Sequence, residues 1–584
     1  MKRRPGPAKE AAAAAKAKYR DVNGFRIRQQ VMDKTHLTAA KQMDNADLDA
    51  SKTIDEEESE GASYVFDGGL RRVTPYYFTY LTYAKQRWLG RNILDVFTDE
   101  FRDRAPEFYK HKIAAGEVTV NQKPANLDTI LKNGDLISHR CLRREPPVPT
   151  TPIRIVYEDD QIIAIDKPGG IPVHPAGRYR YNSVTKILEH ERGVLAHPCN
   201  RLDRLTLGLM FMGKLAKGAE WMVKQIRERL VRKEYIARVK GEFPLGKHRV
   251  DQPLKLIQPK IGLNRVDPEG KEATTEFQRV YYDPELDTLV VKCYPYTGRT
   301  HQIRVHLQYL GHPIANDPIY SNEYVWGPEL GKDNQGDNDV IIPRLEEMGI
   351  TRPCQLWLHP NADGEVITLE IREVLGMPLY SEPGVNDMEL WLHAYRYLAL
   401  DDAEDLWTYQ TQYPEWAIAP ARKFMELALE EAKKCGPTDT QFNVGCVITH
   451  EGKVISTGHL RELEGNTHAE QNALAKLDHL PEGLELYTTM EPCSLRLSGN
   501  LPCTDRILAT LIKTVFVGVS EPDTFVKNNT SVSRLREAGI EYVVIPGYEE
   551  DILATATYGH PKKESTETAT ETAEEGDQPT NEEA

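Results

Sequence analysis

Residues Glu491 to Cys503 read EPCSLRLSGNLPC and set two Pro-Cys pairs on either side of a polar loop that contains glycine. Proline locks φ and removes an amide donor, so each pair is a stiff turn that aims a thiol. The chain has eight cysteines, unevenly spaced over 584 residues, which does not describe a disulfide framework. It fits a reducing compartment and two soft metal ligands that need a third. His468, in the run THAEQNALAKL, supplies the third. His468 and Cys503 each open a segment of helical periodicity, and a helix N-terminus favours the thiolate form that binds metal. Glu470 lies two residues past His468, turned off the ligand face but within reach of a water activated by the metal. A carboxylate there takes a proton from that water and hands it to a leaving amine. Singly, these residues also fit a buried cysteine pair and a solvated histidine. Together, His468, Cys493, Cys503 and Glu470 predict a hydrolytic zinc centre.

A second constellation carries no metal ligands. Asn200 to Met212 reads NRLDRLTLGLMFM and sets Asp203 between Arg201 and Arg204 at the start of an apolar run. A carboxylate flanked by arginines stays ionised, which suits a nucleophile as well as a salt bridge. Downstream come KEYIARV with Tyr235 and GRTHQIRVHLQYLGHPIANDPIY with Arg304. The alternation around 300–305 predicts a strand with Thr300, Gln302 and Arg304 on one polar face and Ile303 and Val305 on the other. A polar stripe flanked by basic residues suits an RNA-facing cleft. From composition alone, a structural Asp–Arg pair is the plainer reading.

These residues need scaffolds, and the chain is long enough for three or four folded units. Its net charge of −15 is unevenly spread. Residues 41–60 and 561–584 each hold eight acids against two lysines, whereas 151–240 holds seventeen Lys/Arg against ten Asp/Glu. The basic segment argues for a nucleic-acid partner, because screening leaves local charge in control beyond roughly 10 Å. No stretch of eighteen apolar residues could span a membrane, and the basic start MKRRPGPAKE lacks the apolar core of a secretory signal. The expected location is the cytoplasm, with nucleus and mitochondrion as alternatives.

Residues 1–62 and 561–584 are low in apolar content and read as disordered tails. Short strand-like runs between turn signals predict a small α+β module over 88–145, followed by an extended proline-rich linker at 144–152. The strand-rich span 149–375, with one clear helix near 214–231, predicts an α+β sheet domain. An aromatic-rich connector over 376–415 is expected to pack on something. From 416 to 560, helices alternate with strands, and a hairpin turns at Glu451-Gly452; this predicts a three-layer α/β domain. No internal repeat is visible.

Two resemblances sharpen the reading. Residues 418–550 resemble the cytidine-deaminase-like zinc enzymes, whose signature is His-x-Glu with a downstream Pro-Cys pair and Cys. Nine residues separate Cys493 from Cys503, where nucleoside and tRNA deaminases usually have two. The long loop, with NVGCVI and GHLRELEGNTHAE, resembles the riboflavin-pathway pyrimidine (DRAP) deaminases. That resemblance implies a small-molecule diaminopyrimidinone bearing a ribityl phosphate as substrate. It gives Asn443 a contact to the ring or ribityl group, beside the alternative that Asn443 is a turn residue before a strand.

Residues 153–372 resemble the RluA-type pseudouridine synthases through EDDQIIAIDKPGGIPVHP, RLDRLTLGL, KEYIARV and GRTHQIRVHLQYLGHPI. The resemblance implies that Asp203 is the nucleophile and that Tyr235 stacks on a flipped uracil and takes its C5 proton. It makes Arg304 the partner that keeps Asp203 ionised, and Arg201 the residue that fills the vacated stack. No cofactor is implied for this part. Asn200 stands where many members have His, and Leu207 where Ser is common. The 88–145 module loosely resembles the S4-type RNA-binding domain. The order of parts resembles the fungal bifunctional enzymes, whose RNA substrate is a tRNA anticodon-loop uridine. The expectation is a zinc deaminase of riboflavin synthesis joined to a tRNA pseudouridine synthase that acts near position 32. Two alternatives stand beside it: a deaminase with a non-catalytic RNA-binding module, and an RNA-editing deaminase.

Overall fold

A computed structural model describes residues 63–101, 106–143, 145–259, 261–351, 387–400, 406–496, 498–521 and 529–560. The expected tails, and residues 352–386 at the end of the expected sheet domain, lie outside these residues. The chain divides between Ile418 and Ala419 into two units.

In the first unit, Tyr76–Tyr83 pairs antiparallel with Leu136–Arg143, which pairs in turn with Val118–Val120. Trp88, Ile93, Phe97, Tyr109, Val118 and Ile137 form the core beside this sheet. The ladder needs Tyr76–Tyr83, so the small module starts before residue 88. The run YYFTYLTY hides this, because it is aromatic at both alternating positions and shows no polar face.

The stretch read as a linker is anchored. Glu145 is only 3% exposed and accepts hydrogen bonds from the Tyr76 hydroxyl (2.6 Å) and from the amides of Arg180, Tyr181 and Asn182 (2.8–2.9 Å). Val148–Pro149 pairs with the strand Leu70–Val73. A carboxylate buried with four donors is a fixed joint, whatever the prolines around it.

The main sheet holds ten strands. Its principal members are β1 (Arg154–Glu158), β2 (Ile162–Lys167), β3 (Leu207–Gly213), β4 (Val231–Lys240), β5 (Lys247–Asp251), β6 (Thr274–Asp283), β7 (Thr288–Pro295) and β8 (Leu392–Ala399), in the order β5-β6-β7-β4-β8-β3-β2-β1. Helix α1 (Ala216–Arg227) packs on β3. Neighbours are antiparallel except β8 and β3. Strand β8 corrects the expected boundaries: it falls in the stretch read as a connector, past residue 375, yet fills the middle of the sheet. Besides the short strand Thr408–Gln410, its partners β4 and β3 lie more than 150 residues upstream, so no local pattern announces its place in the sheet. Close approach of β8 to β3 requires Gly208, whose φ is 105° and where a Cβ would lie 2.3 Å from the Ala394 carbonyl oxygen.

A second correction concerns 302–309. Gln302–Tyr309 is a helix, α2, and not a strand, entered through His301 at a left-handed φ of 57°. Residues Gln302 to Gln308 are all buried, so the helix shows no amphipathic stripe and its alternating letters mimic a strand. Gln302 points at the Thr274 carbonyl and the Thr275 hydroxyl, and His306 meets Thr275 and the Gln252 carbonyl.

The second unit has a five-stranded sheet ordered β10-β9-β11-β12-β13, from β9 (Gly445–His450), β10 (Lys453–His459), β11 (Leu484–Met490), β12 (Thr514–Val519) and β13 (Glu541–Val544). Helix α3 (Glu415–Lys433) leads into it; α4 (Ala469–Ala475), α5 (Cys503–Leu508), α6 (Ser531–Glu537) and α7 (Glu549–Ala556) follow. The hairpin turns where expected, with Glu451 and Gly452 both at positive φ. Gly445 faces α3, where a Cβ would collide with the Ala428 carbonyl. The next residue, Cys446, points the other way, into a core with Ala469, Ala473, Ile507 and Leu535 from α4, α5 and α6. The three layers of an α/β domain follow. Among the described residues, no helix is long and apolar enough to cross a membrane.

Glu145→Ala is expected to destabilise the first unit by about 3 kcal/mol or more, since it leaves four buried donors without their acceptor. Thermal unfolding of the full chain measures this. A variant that melts within a degree of the parent shows that the joint is dispensable.

Candidate active sites

One cavity of about 430 Å³ opens on the main sheet and is lined by Arg201, Asp203, Tyr235, His301, Arg304 and Tyr397 among others. It thus gathers all four residues singled out in this unit. Asp203 sits in the loop before β3, and its side chain is 39% exposed. One carboxylate oxygen lies 3.7 Å from Arg304 Nη1 and 3.7 Å from His301 Nε2.

Arg304 has a closer partner than Asp203. Its Nε and Nη2 donate to the buried Asp317 carboxylate at 2.6 and 2.9 Å, a two-pronged pair. Burial alone would raise the Asp317 carboxyl, but the Arg304 charge and the amides of Ile319 and Tyr320 outweigh it and hold it below the usual carboxylate range. Tyr320 stacks under the Arg304 guanidinium and bonds His301 Nδ1 at 3.0 Å. Burial, with Arg304 nearby, pushes the His301 imidazole down to about 4, so the ring is neutral at physiological pH.

Tyr235 comes from β4 and Tyr397 from β8; their hydroxyls lie 2.8 Å apart. Burial pushes the Tyr235 phenol up to about 12. Behind the Asp203 loop, the buried Lys167 ammonium donates to the carbonyls of Pro168, Ile171 and Arg204. Burial lowers it to about 7. Asn200 accepts from the Phe211 amide at 2.9 Å, so it braces β3, and Leu207 is the first residue of that strand.

Sequence reading missed Asp317, Tyr397, His301 and Lys167. His301 and Asp317 stand inside the quoted motif around Arg304, but a strand reading of that segment does not bring Asp317 to Arg304. Tyr397 could not be found, because its strand was read as a connector.

In the second unit, His468 is the N-cap of α4, Cys503 is the first residue of α5, and Cys493 lies in the loop after β11. His468 Nδ1 is 3.6 Å from Cys493 Sγ and 3.4 Å from Cys503 Sγ, and the three donors lie within 4.8 Å of one another. Bonds of about 2.3 Å to sulfur and about 2.1 Å to nitrogen put a tetrahedral S–N edge at roughly 3.6 Å, so the spacing fits a shared zinc-like ion. No other such cluster occurs among the described residues. Donation from the Cys503 thiol and from His468 pulls the Cys493 thiol down to about 4, the thiolate form that a metal takes. Glu470 is buried next to this trio; one oxygen accepts from the Thr488 hydroxyl at 3.0 Å, and burial raises its carboxyl. Asn443 is buried as well. Its amide nitrogen donates to the Thr555 carbonyl at 3.3 Å, while its buried Oδ1 meets no hydrogen-bond partner among the described residues.

Comparison with known proteins finds a family match in each unit. Residues 161–309 match the RNA pseudouridylate synthase family, and residues 419–519 match the cytidine and deoxycytidylate deaminase zinc-binding region. The tRNA pseudouridine(32) synthase, mitochondrial, of Saccharomyces cerevisiae is 52% identical over 363 residues, covering 61% of this chain and 78% of that protein. The diaminohydroxyphosphoribosylamino-pyrimidine deaminase of Schizosaccharomyces pombe is 48% identical over 147 residues, 24% of this chain and 36% of that protein. Among solved structures, the Aspergillus oryzae Rib2 deaminase is 37% identical, with 24% of this chain and 92% of that chain covered and a TM-score of 0.23.

Asp317→Asn is expected to cost about 3–5 kcal/mol, since it leaves Arg304 buried without its counter-charge. The pH sign follows from the depressed carboxyl. Its contribution is present above the unfolded value of about 4 and is lost as pH falls through the lower folded value. Unfolding midpoints between pH 7 and pH 3 check this: the parent loses stability on acidification, and the variant starts lower and falls less.

Proposed function

The chain belongs to the RNA pseudouridylate synthase family and carries a deaminase domain of the zinc-binding type, and from that premise we propose two reactions. The first site isomerises a tRNA anticodon-loop uridine, at position 32, to pseudouridine. The second removes an amino group by hydrolysis from the diamino-ribitylamino-pyrimidinone 5′-phosphate of riboflavin synthesis. The name of the Saccharomyces cerevisiae relative supports the first substrate, and that of the Schizosaccharomyces pombe relative, a phosphoribosylamino-pyrimidine deaminase, supports the diaminopyrimidine class of the second. The observation that carries the first reading is a half-exposed Asp203 carboxylate with the Arg304 cation at 3.7 Å, in one cavity with Tyr235.

In that cavity Asp203 is the nucleophile that lets the N1–C1′ bond break and the C5–C1′ bond form. Nothing is consumed, so this reaction takes no cofactor. Arg304 turns its Nη1 toward the Asp203 carboxylate, and Asp317 holds Arg304 in place. Tyr235 stacks on the flipped uracil; a phenol pushed up to about 12 stays protonated, which favours stacking over acceptance of the C5 proton. Arg201, exposed at the cavity rim, fills the gap left by the flipped base.

In the deaminase domain His468, Cys493 and Cys503 would hold zinc. When bound, zinc acidifies water enough to make it nucleophilic at neutral pH. Glu470 moves the proton from that water to the departing amine, and its burial suits a carboxyl that must both take and give a proton. The unpartnered Oδ1 of Asn443 is an acceptor for the substrate ring or ribityl group. The protein works in the cytoplasm or, as the mitochondrial relative suggests, in mitochondria.

Point variants of the full chain test both halves. Asp203→Ala is expected to abolish pseudouridine at the target while ammonia release continues; unchanged pseudouridine would leave an RNA-binding module without catalysis. Cys493→Ser or Cys503→Ser should take bound zinc from about one ion per chain to none, because a hydroxyl is a poor soft ligand. Glu470→Gln should retain zinc and lose at least about 100-fold in ammonia release. Loss of zinc in Glu470→Gln would refute its role as a proton carrier, and ammonia released from tRNA instead of the pyrimidine would favour the editing reading.

A further inference from the structure

A second groove, of about 680 Å³, continues from the catalytic cavity and shares Lys233, Pro295, Thr297, Gly298 and Arg299 with it. Nothing in the mechanism uses it. Its far wall comes from the end of α1 and the turn after it, with Arg227 and Arg229, and from the end of β7, with Tyr296.

Three observations mark the groove as a place for an anion. Lys233 stands two residues before Tyr235 on β4, so both side chains leave the same face of the strand, and Lys233 lines both cavities. Among the described residues, no carboxylate or hydrogen-bond acceptor meets its ammonium, and burial without compensation lowers its pKa. An unpaired, partly buried lysine is costly in the absence of an anion. Second, Arg229 occupies a left-handed turn position with φ 61°, where glycine is the unstrained choice, and it presents a guanidinium to the groove. Third, Tyr296 is 53% exposed, and Arg249 covers one face of its ring at 5.4 Å. A base can stack on the opposite face.

We propose that this groove binds the RNA strand next to the target nucleotide, with a flanking phosphodiester on Lys233 and Arg229 and the neighbouring base on Tyr296. The inference rests on the synthase reading and deepens it. Lys233, at the junction, holds the backbone at the point where the flipped nucleotide leaves the strand. It is a positioning residue: the bonds that break and form are at the uridine C1′, next to Asp203.

The test uses the full chain and a synthetic anticodon stem-loop RNA. Lys233→Gln is expected to raise KM for this RNA about tenfold at nearly constant kcat. It should also reduce the slope of log Kd against log salt by about 0.7, the share of one single-strand phosphate. Lys233→Arg should restore most of the affinity, and Lys433→Gln, which removes a lysine paired with Glu430, should change neither quantity. Neutral methylphosphonates placed singly at the phosphates flanking the target then locate the contact. One position should weaken binding by the parent about tenfold and leave Lys233→Gln unaffected. Arg229→Gln should show the same coupling if Lys233→Gln fails to fold. Equal KM and equal salt slope in parent and variant, or additive losses at every methylphosphonate, would overturn the proposal. Binding is read by filter retention as well as turnover, so a chain that binds through Lys233 but makes no pseudouridine would sink the synthase reading and spare the groove.

Discussion

Arg304 is a cation buried in the protein interior, and much of the first unit is arranged so that it can stay there. An unpaired buried guanidinium would cost several kcal/mol. Asp317 removes that cost with two short hydrogen bonds, and the amides of Ile319 and Tyr320 fix Asp317 in turn. The pair is nearly neutral as a whole, yet its outer edge still presents Nη1 to Asp203 at 3.7 Å. That distance faces the cation toward Asp203 without locking the two into a tight ion pair. The helical form of 302–309 belongs to the same arrangement. It aims Arg304 inward while Gln302 and His306 spend their polar atoms on the strand beneath.

The sheet supplies the other wall. Strand β8 reaches the centre of the sheet from beyond residue 387 and carries Tyr397 to Tyr235. Its approach to β3 is so close that Gly208 is the residue the geometry accepts. The Asp203 loop and the closing strand are thereby tied together, because the same β3 begins just after Asp203 and pairs with β8 at Leu207 and Gly208.

The deaminase domain solves a different charge problem with the same economy of parts. A metal ion held between His468, Cys493 and Cys503 would neutralise its thiolates, in place of a buried counter-charge. What the fold must supply is placement, which comes from the start of α4, the start of α5 and the end of β11. Gly445 and Gly458 let helices sit against the strands at backbone distance, which keeps those helix starts in register.

Much of this was legible in the sequence, because the informative signals were local. Pro-Cys pairs, a histidine opening a helix, an aspartate between arginines and a Glu-Gly turn each announce themselves within a few residues. Those short patterns sufficed for the two chemistries, for His468, Cys493 and Cys503, and for the four residues now gathered in one cavity. Tertiary structure decided what depended on distant or fully buried partners. Helix 302–309 is buried on every side, so its letters carry no period that distinguishes helix from strand. Strand β8 pairs with residues more than 150 positions away, so Tyr397 and the true extent of the sheet stayed hidden. Glu145 looked like part of an extended proline-rich linker because its four donors come from Tyr76 and from 180–182. Residue types and short spacings state which chemistry is possible; which carboxylate neutralises which cation depends on chain segments meeting in space, and that emerges only when the core is packed.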